Sequence, residues 1–169
     1  LMDPATCEEL EQLYTNDKYD LGGLWYSDAQ KKLLGVSYEG HKGKTRYFFD
    51  KATEEMLGRM ERHLRGYEIG IGGSNKAEDK YIVYAGGDRT MGAYYFYDVK
   101  SDTMTKLADL APWIDEQQMA EMTPVTYTSR DGLEIEGYLT LPVGKTLHNA
   151  KNLPVVVNPH GGPWARDSW

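Results

Sequence analysis

A mainly β chain, made of small antiparallel sheets that repeat along the sequence and then give way to a different sheet, is predicted by three features. Thirteen tyrosines and 18 glycines among 169 residues favour many short strands joined by tight turns over a helical bundle. An aromatic run ending in aspartate occurs twice, as Tyr47-Phe48-Phe49-Asp50 and Tyr95-Phe96-Tyr97-Asp98, at an offset of 48 residues. Further on, Arg130-Asp131-Gly132 separates two alternating runs. Val155-Val156-Val157 comes after them, consecutive β-branched residues of the kind found in strands covered on both faces.

Residues 3 to 19 are polar and acidic, with a turn at Asp3-Pro4 and a short helical or irregular piece from Cys7 to Leu13. Three strand-like runs come next: Leu24 to Tyr26, Leu33 to Tyr38 and Arg46 to Asp50, parted by polar turns at Ser27 to Gln30 and Glu39 to Gly43. A second set repeats them: Ile69 to Gly72, Tyr81 to Ala85 and Tyr94 to Asp98, with turns at Asp79-Lys80 and Gly86 to Arg89. At the offset of 48, Leu34 falls over Ile82. In each copy the aspartate is expected to cap a turn, after which a last strand runs toward Leu57 or Leu107. Four short strands at a period of about 40–50 residues describe a β-propeller blade, which buries its faces against neighbouring blades. Two blades cannot close a ring, so the chain is expected to be a segment of a longer protein; its first residue, Leu1, and its last, Trp169, agree with that expectation.

Residues 1–112 thus read as the last blades of a propeller. Residues 113–121 break the repeat, form one or two helical turns after Pro112 and act as a hinge. The hairpin of Val125 to Ser129 and Leu133 to Thr140, a polar loop from Pro142 to Lys151 and a buried strand from Leu153 to Val157 then open a mixed sheet over residues 122–169. That strand runs into His160-Gly161-Gly162-Pro163. Paired glycines turn the backbone sharply and leave amide N–H groups uncovered, as a site for a developing oxyanion requires. A plain tight turn is the competing reading, and both stand at this point. His160 is placed as a support that holds the turn by hydrogen bonds, because no serine or carboxylate partner is evident.

A formal charge of −7 and a pI near 5.1 speak against nucleic-acid or anionic-membrane partners. Cys7 is the single cysteine, so no internal disulfide is possible and the compartment stays open. Gly43-Lys44-Thr45 and Gly144-Lys145-Thr146 are not phosphate loops, since Tyr38 and Leu139 occupy the required glycine positions, and Gly70-Ile71-Gly72 meets Asn75 where a dinucleotide fingerprint needs glycine. His41, His63, His148 and His160 are too scattered for a local metal site. Neither a cofactor nor a metal is expected.

The run from Asp131 to Pro142, then Leu153 to Val157, then His160-Gly161-Gly162-Pro163-Trp164-Ala165-Arg166-Asp167-Ser168-Trp169, resembles the prolyl oligopeptidase family, closest to acylaminoacyl-peptidase and dipeptidyl-peptidase-like bacterial members. The resemblance implies a propeller that screens peptide substrates ahead of an α/β-hydrolase domain, of which residues 122–169 would supply the first strands. It implies that a backbone N–H of the Gly161-Gly162 turn helps bind the oxyanion, the remaining donor coming from outside this chain. The nucleophile of such enzymes sits in a Gly-x-Ser-x-Gly elbow that this chain does not contain, and the acid and base come after it, so the triad would come from the remainder of the parent chain. Arg166 is a weaker candidate, either paired with Asp167 or facing a substrate's charged end. A propeller binding module and an esterase of the same fold remain the alternatives.

Overall fold

The computed structural model describes residues 1–169. A three-stranded sheet comprises β1 (Leu21–Ser27), β2 (Lys32–Gly40) and β3 (Gly43–Phe48). After a helix, α1 (Lys51–His63), a four-stranded sheet is built from β4 (Glu68–Ser74), β5 (Lys80–Gly87), β6 (Thr90–Asp98) and β7 (Thr103–Asp109). A 3-10 turn at Glu116–Gln118 then leads to the hairpin of β8 (Met122–Thr128) and β9 (Glu134–Thr140). Each strand pairs antiparallel with its sequence neighbour, so the fold is mainly β, with one α-helix.

The two copies of the repeat are the first three strands of each sheet, but they are not superposed by a single offset. The two-residue turn after Gly40 closes on Gly43, and its counterpart after Gly87 closes on Thr90, an offset of 47. A bulge between Ala85 and Gly87 then places one extra residue on the β6 side, which brings Asp50 and Asp98 to 48. Leu34 consequently matches Tyr81 rather than Ile82. Leu34 and Val36 are buried as are Tyr81 and Val83, whereas Ile82 is 37% exposed on the opposite face. A slip of one residue exchanges the faces of a strand, so the burial decides the alignment.

The expected fourth strand after Asp50 is instead α1. Asp50 is extended, with φ −121 and ψ 115, and its carboxylate accepts from the Thr53 amide at 2.9 Å and the Thr53 hydroxyl at 2.8 Å. That is an N-cap, and the residues after it are good helix formers with Met56, Leu57 and Met60 on one face. Asp98 begins in the same way, accepting from the amides of Lys100 and Ser101 at 3.0 and 3.2 Å. There, however, Asp102 adopts φ +52, which ends any helix and returns the chain as β7. One capping aspartate therefore opens two different elements.

The core lies between α1 and the four-stranded sheet. Met56, Leu57, Met60 and Leu64 meet Ile69, Tyr81, Val83, Ala85 and Tyr97, and Trp25 and Phe48 join from the first sheet. The C-terminal end of α1 is tied down where Tyr97 Oη donates to Asp102 Oδ1 at 2.6 Å and His63 Nε2 donates to the same oxygen at 3.1 Å. Burial, helped by the Asp102 bond, pushes the Tyr97 phenol up to about 12. The sheets are joined through the guanidinium of Arg46, which donates to the Ile69 carbonyl, and through Ser27 Oγ, which donates to Glu78 Oε2 at 2.5 Å.

One other expectation changes. Residues 153–157 do not form a buried strand: Val155, Val156 and Val157 are 82%, 91% and 81% exposed. No strand of the chain offers them a ladder partner, and a strand's backbone groups need one. Residues 113–121, expected to form one or two helical turns, hold one 3-10 turn, capped by Asp115. The Asp-Gly hairpin forms as expected, with Gly132 at φ +87, although β8 begins earlier, at Met122.

Met60 is fully buried in the contact between helix and sheet. Met60→Ala is expected to cost about 2–5 kcal/mol, read as a lowered urea midpoint with an unchanged slope. The Lys32 ammonium, at 2.6 Å, together with the Thr53 bonds, holds the Asp50 carboxyl at about 2. A depressed carboxyl contributes stability that is complete above its unfolded value, near 3.8, and is lost as pH falls through about 2. Asp50→Asn should flatten the decline of the urea midpoint over that acid window.

Candidate functional site

In the His160-Gly161-Gly162-Pro163 turn, the two glycines have different reasons for being glycine. Gly162 has φ +136, and a Cβ there would stand 2.8 Å from the Trp164 amide nitrogen; around Gly161 nothing lies within 4 Å. Only Gly162 is therefore required by the local backbone. His160 Nδ1 donates to the Gly161 carbonyl at 2.8 Å, which fixes the proton on that nitrogen and spans the turn from outside. Beyond the glycines, the Ala165 amide bonds to the Pro163 carbonyl at 2.9 Å and closes a small hook. The amides of Gly161 and Gly162 donate to no protein acceptor. Two uncommitted N–H groups on an exposed turn can receive an anionic oxygen.

Arg166 is not paired with Asp167. Its Nη1 donates to the Glu39 carbonyl at 3.2 Å, and its guanidinium lies over the Tyr19 ring at 5.4 Å. Trp169, three residues on, donates from Nε1 to the Met122 carbonyl at 2.8 Å, beneath the Lys42 ammonium at 5.6 Å from its ring. The segment after the glycine turn is thus held against the β2–β3 turn and the first residue of β8.

The same junction holds residues that no motif pointed to. Glu136 of β9 accepts from Lys18 Nζ at 2.5 Å and from Tyr19 Oη at 3.3 Å, and His41 Nδ1 stands 3.9 Å away. The Lys18 bond, aided by the nearby His41, holds the Glu136 carboxyl below the ordinary range against the opposing effect of burial. The His41 and Tyr138 rings lie 5.9 Å apart, and both His41 Nε2 and Tyr138 Oη are buried without a hydrogen-bond partner. Glu136 and Tyr138 share a face of β9, so strand alternation marks them as a pair, but it does not say that this polar face is docked. A cleft of about 570 Å³ opens elsewhere, between the stretch around Met119 and the loop after β9, lined among others by Arg89, Met119, Leu139, Leu141, Leu147 and His148. None of the residues from His160 to Trp169 lines it.

No family model matches the chain. It is similar to dipeptidyl aminopeptidase BIII from Pseudoxanthomonas mexicana, 29% identical over 154 residues, which cover 89% of this chain and 22% of that protein. The chain therefore spans about a fifth of the length of the curated relative it matches. The relationship to a peptidase is distant, but it runs through both sheets and the hairpin rather than through one motif.

Gly162→Ala is expected to shift the Trp164 and Ala165 amide resonances and to weaken the hook, because the added Cβ meets the backbone at φ +136. Gly161→Ala, which meets open space, should leave those resonances in place. A heteronuclear NMR comparison of the two variants checks this.

Proposed function

We propose that the chain is the junction segment of a serine peptidase acting on short or N-blocked peptides. Residues 1–112 would be the last blades of its propeller, 113–121 the hinge, and 122–169 the first strands of an α/β-hydrolase domain. The observation that carries this reading is the pair of uncommitted Gly161 and Gly162 amides, in a chain similar to a dipeptidyl aminopeptidase over 89% of its length.

The chemistry rests on the geometry of the turn. Attack of a serine oxygen on a peptide carbonyl turns that carbonyl oxygen into an anion, and preorganised N–H donors stabilise it without reorganising water. Gly162 holds the backbone at φ +136, which few other residues adopt, and His160, tied to the Gly161 carbonyl, fixes the peptide plane that carries the Gly162 N–H. Serine, acid and base belong to the remainder of the parent chain. The propeller blades would limit access to short peptides, and residues 153–157 would find strand neighbours in the rest of the hydrolase sheet, where consecutive valines fit a strand covered on both faces.

The full-length protein is expected to be labelled covalently by a fluorophosphonate probe. Gly162→Ala keeps the amide but displaces it, and should lower kcat by about a hundredfold, the scale of a reacting group misplaced by about 1 Å, with little change in KM. Turnover of dipeptidyl, acyl-amino-acid and simple ester substrates should rank the peptides first. A full-length protein that ignores the probe would overturn the reading in favour of a binding propeller, and preference for the ester would replace peptidase by esterase.

A further inference from the structure

We propose that Trp169 and Arg166 are positioning residues that fasten the glycine turn to the β2–β3 turn of the first sheet, so that the blade region sets the placement of the oxyanion donors. The inference rests on the serine-peptidase reading above and extends it to residues outside the turn. Only Pro163 to Ala165 lie between Gly162 and Arg166, and the bond from Ala165 to Pro163 stiffens that short stretch. Past it, the chain has two points of attachment on different elements. Trp169 is half-buried, donates to the Met122 carbonyl at 2.8 Å and packs near Gly43, from which a Cβ would meet the indole at 3.3 Å. Lys42 covers the indole face as a cation over an aromatic ring. Arg166 supplies the second point, at the Glu39 carbonyl and the Tyr19 ring.

The receiving surface is itself braced. Tyr19 and Lys18 hold Glu136 of β9, and Met122, whose carbonyl takes the Trp169 bond, is held by its own amide, which donates to Asp88 Oδ2 at 2.7 Å. Asp88 lies in the β5–β6 turn, the repeat-related partner of the β2–β3 turn. The two equivalent turns of the two sheets therefore grip the hydrolase segment from both copies of the repeat: the first through Lys42, with Glu39 at the adjoining end of β2, the second through Asp88. A shift of either turn is carried to Gly162 through a few residues with fixed hydrogen bonds. Misplacing a reacting group by about 1 Å is enough to cost about a hundredfold in rate.

In the full-length protein, Trp169→Phe and Arg166→Met are each expected to lower kcat by about tenfold to a hundredfold, with KM changed by no more than about twofold, the mark of an interaction made only in the transition state. The rate of fluorophosphonate labelling should fall in step. Arg166→Lys, which keeps a donor for the Glu39 carbonyl and a cation over Tyr19, should recover most of the loss. Lys42→Ala approaches the same contact from the blade side, and in a double-mutant cycle with Trp169→Phe the two losses should be less than additive. Should either variant of the C-terminal segment fail to fold, Lys42→Ala alone carries the test. A labelled, active wild type whose kcat is untouched by these substitutions overturns the positioning role alone. A wild type that neither labels nor turns over peptide overturns the peptidase reading, and the positioning role with it.

Discussion

The packing of α1 across the four-stranded sheet is the constraint on which the remaining structure depends. Met60, Val83 and Tyr97 are fully buried where the helix meets β5 and β6. Without that helix the inner face of the sheet, from Ile69 to Ala85, would stand in water. Burial of side chains of this kind contributes on the order of 2 kcal/mol each, and no other part of the chain gathers as many. The first sheet adds Trp25 and Phe48 to the same cluster, and the C-terminal hairpin adds none of its residues. The hairpin and the segment after it are therefore held chiefly by polar bonds, to Glu136, Met122 and Glu39.

That division explains where tightness and freedom lie around the glycine turn. A polar junction of partly exposed ion pairs and hydrogen bonds is individually weak, but this one gathers several on a small area: Lys18, Tyr19 and His41 around Glu136, Asp88 and Trp169 on either side of Met122, and Arg166 on the Glu39 carbonyl. Directional bonds set orientation better than apolar contact does. If the glycine turn aims N–H groups at an oxyanion, as proposed, attachment through directions serves it better than attachment through bulk.

The repeat shows how one sequence pattern yields different elements. Asp50 and Asp98 end matching aromatic runs and cap the next residues in nearly the same way. After Asp50 the chain continues with helix formers that carry an apolar stripe; after Asp98 it reaches Asp102, at positive φ, within four residues. Reading the two aspartates as equivalent turn caps foresaw the cap and missed the helix, although the stripe of Met56, Leu57 and Met60 was present in the letters. The offset failed for another reason: the bulge beside Ala85 adds a residue to one strand only, and nothing local announces it.

The sequence by itself determined the mainly β character, the positions of the strands other than those expected after Asp50 and at residues 153–157, the Asp-Gly hairpin and the glycine turn, because these depend on side-chain periodicity and on backbone angles that few residues adopt. Tertiary structure decided the rest. It chose Tyr81 rather than Ile82 for the core, since a face is selected by what packs against it. It left Val155 to Val157 uncovered, since a strand exists only where another backbone completes its hydrogen bonds. It turned Arg166 from a possible partner of Asp167 into a bond with Glu39, 127 residues away in sequence. Contacts across such separations depend on where whole elements come to rest, and no window of neighbouring residues contains that information.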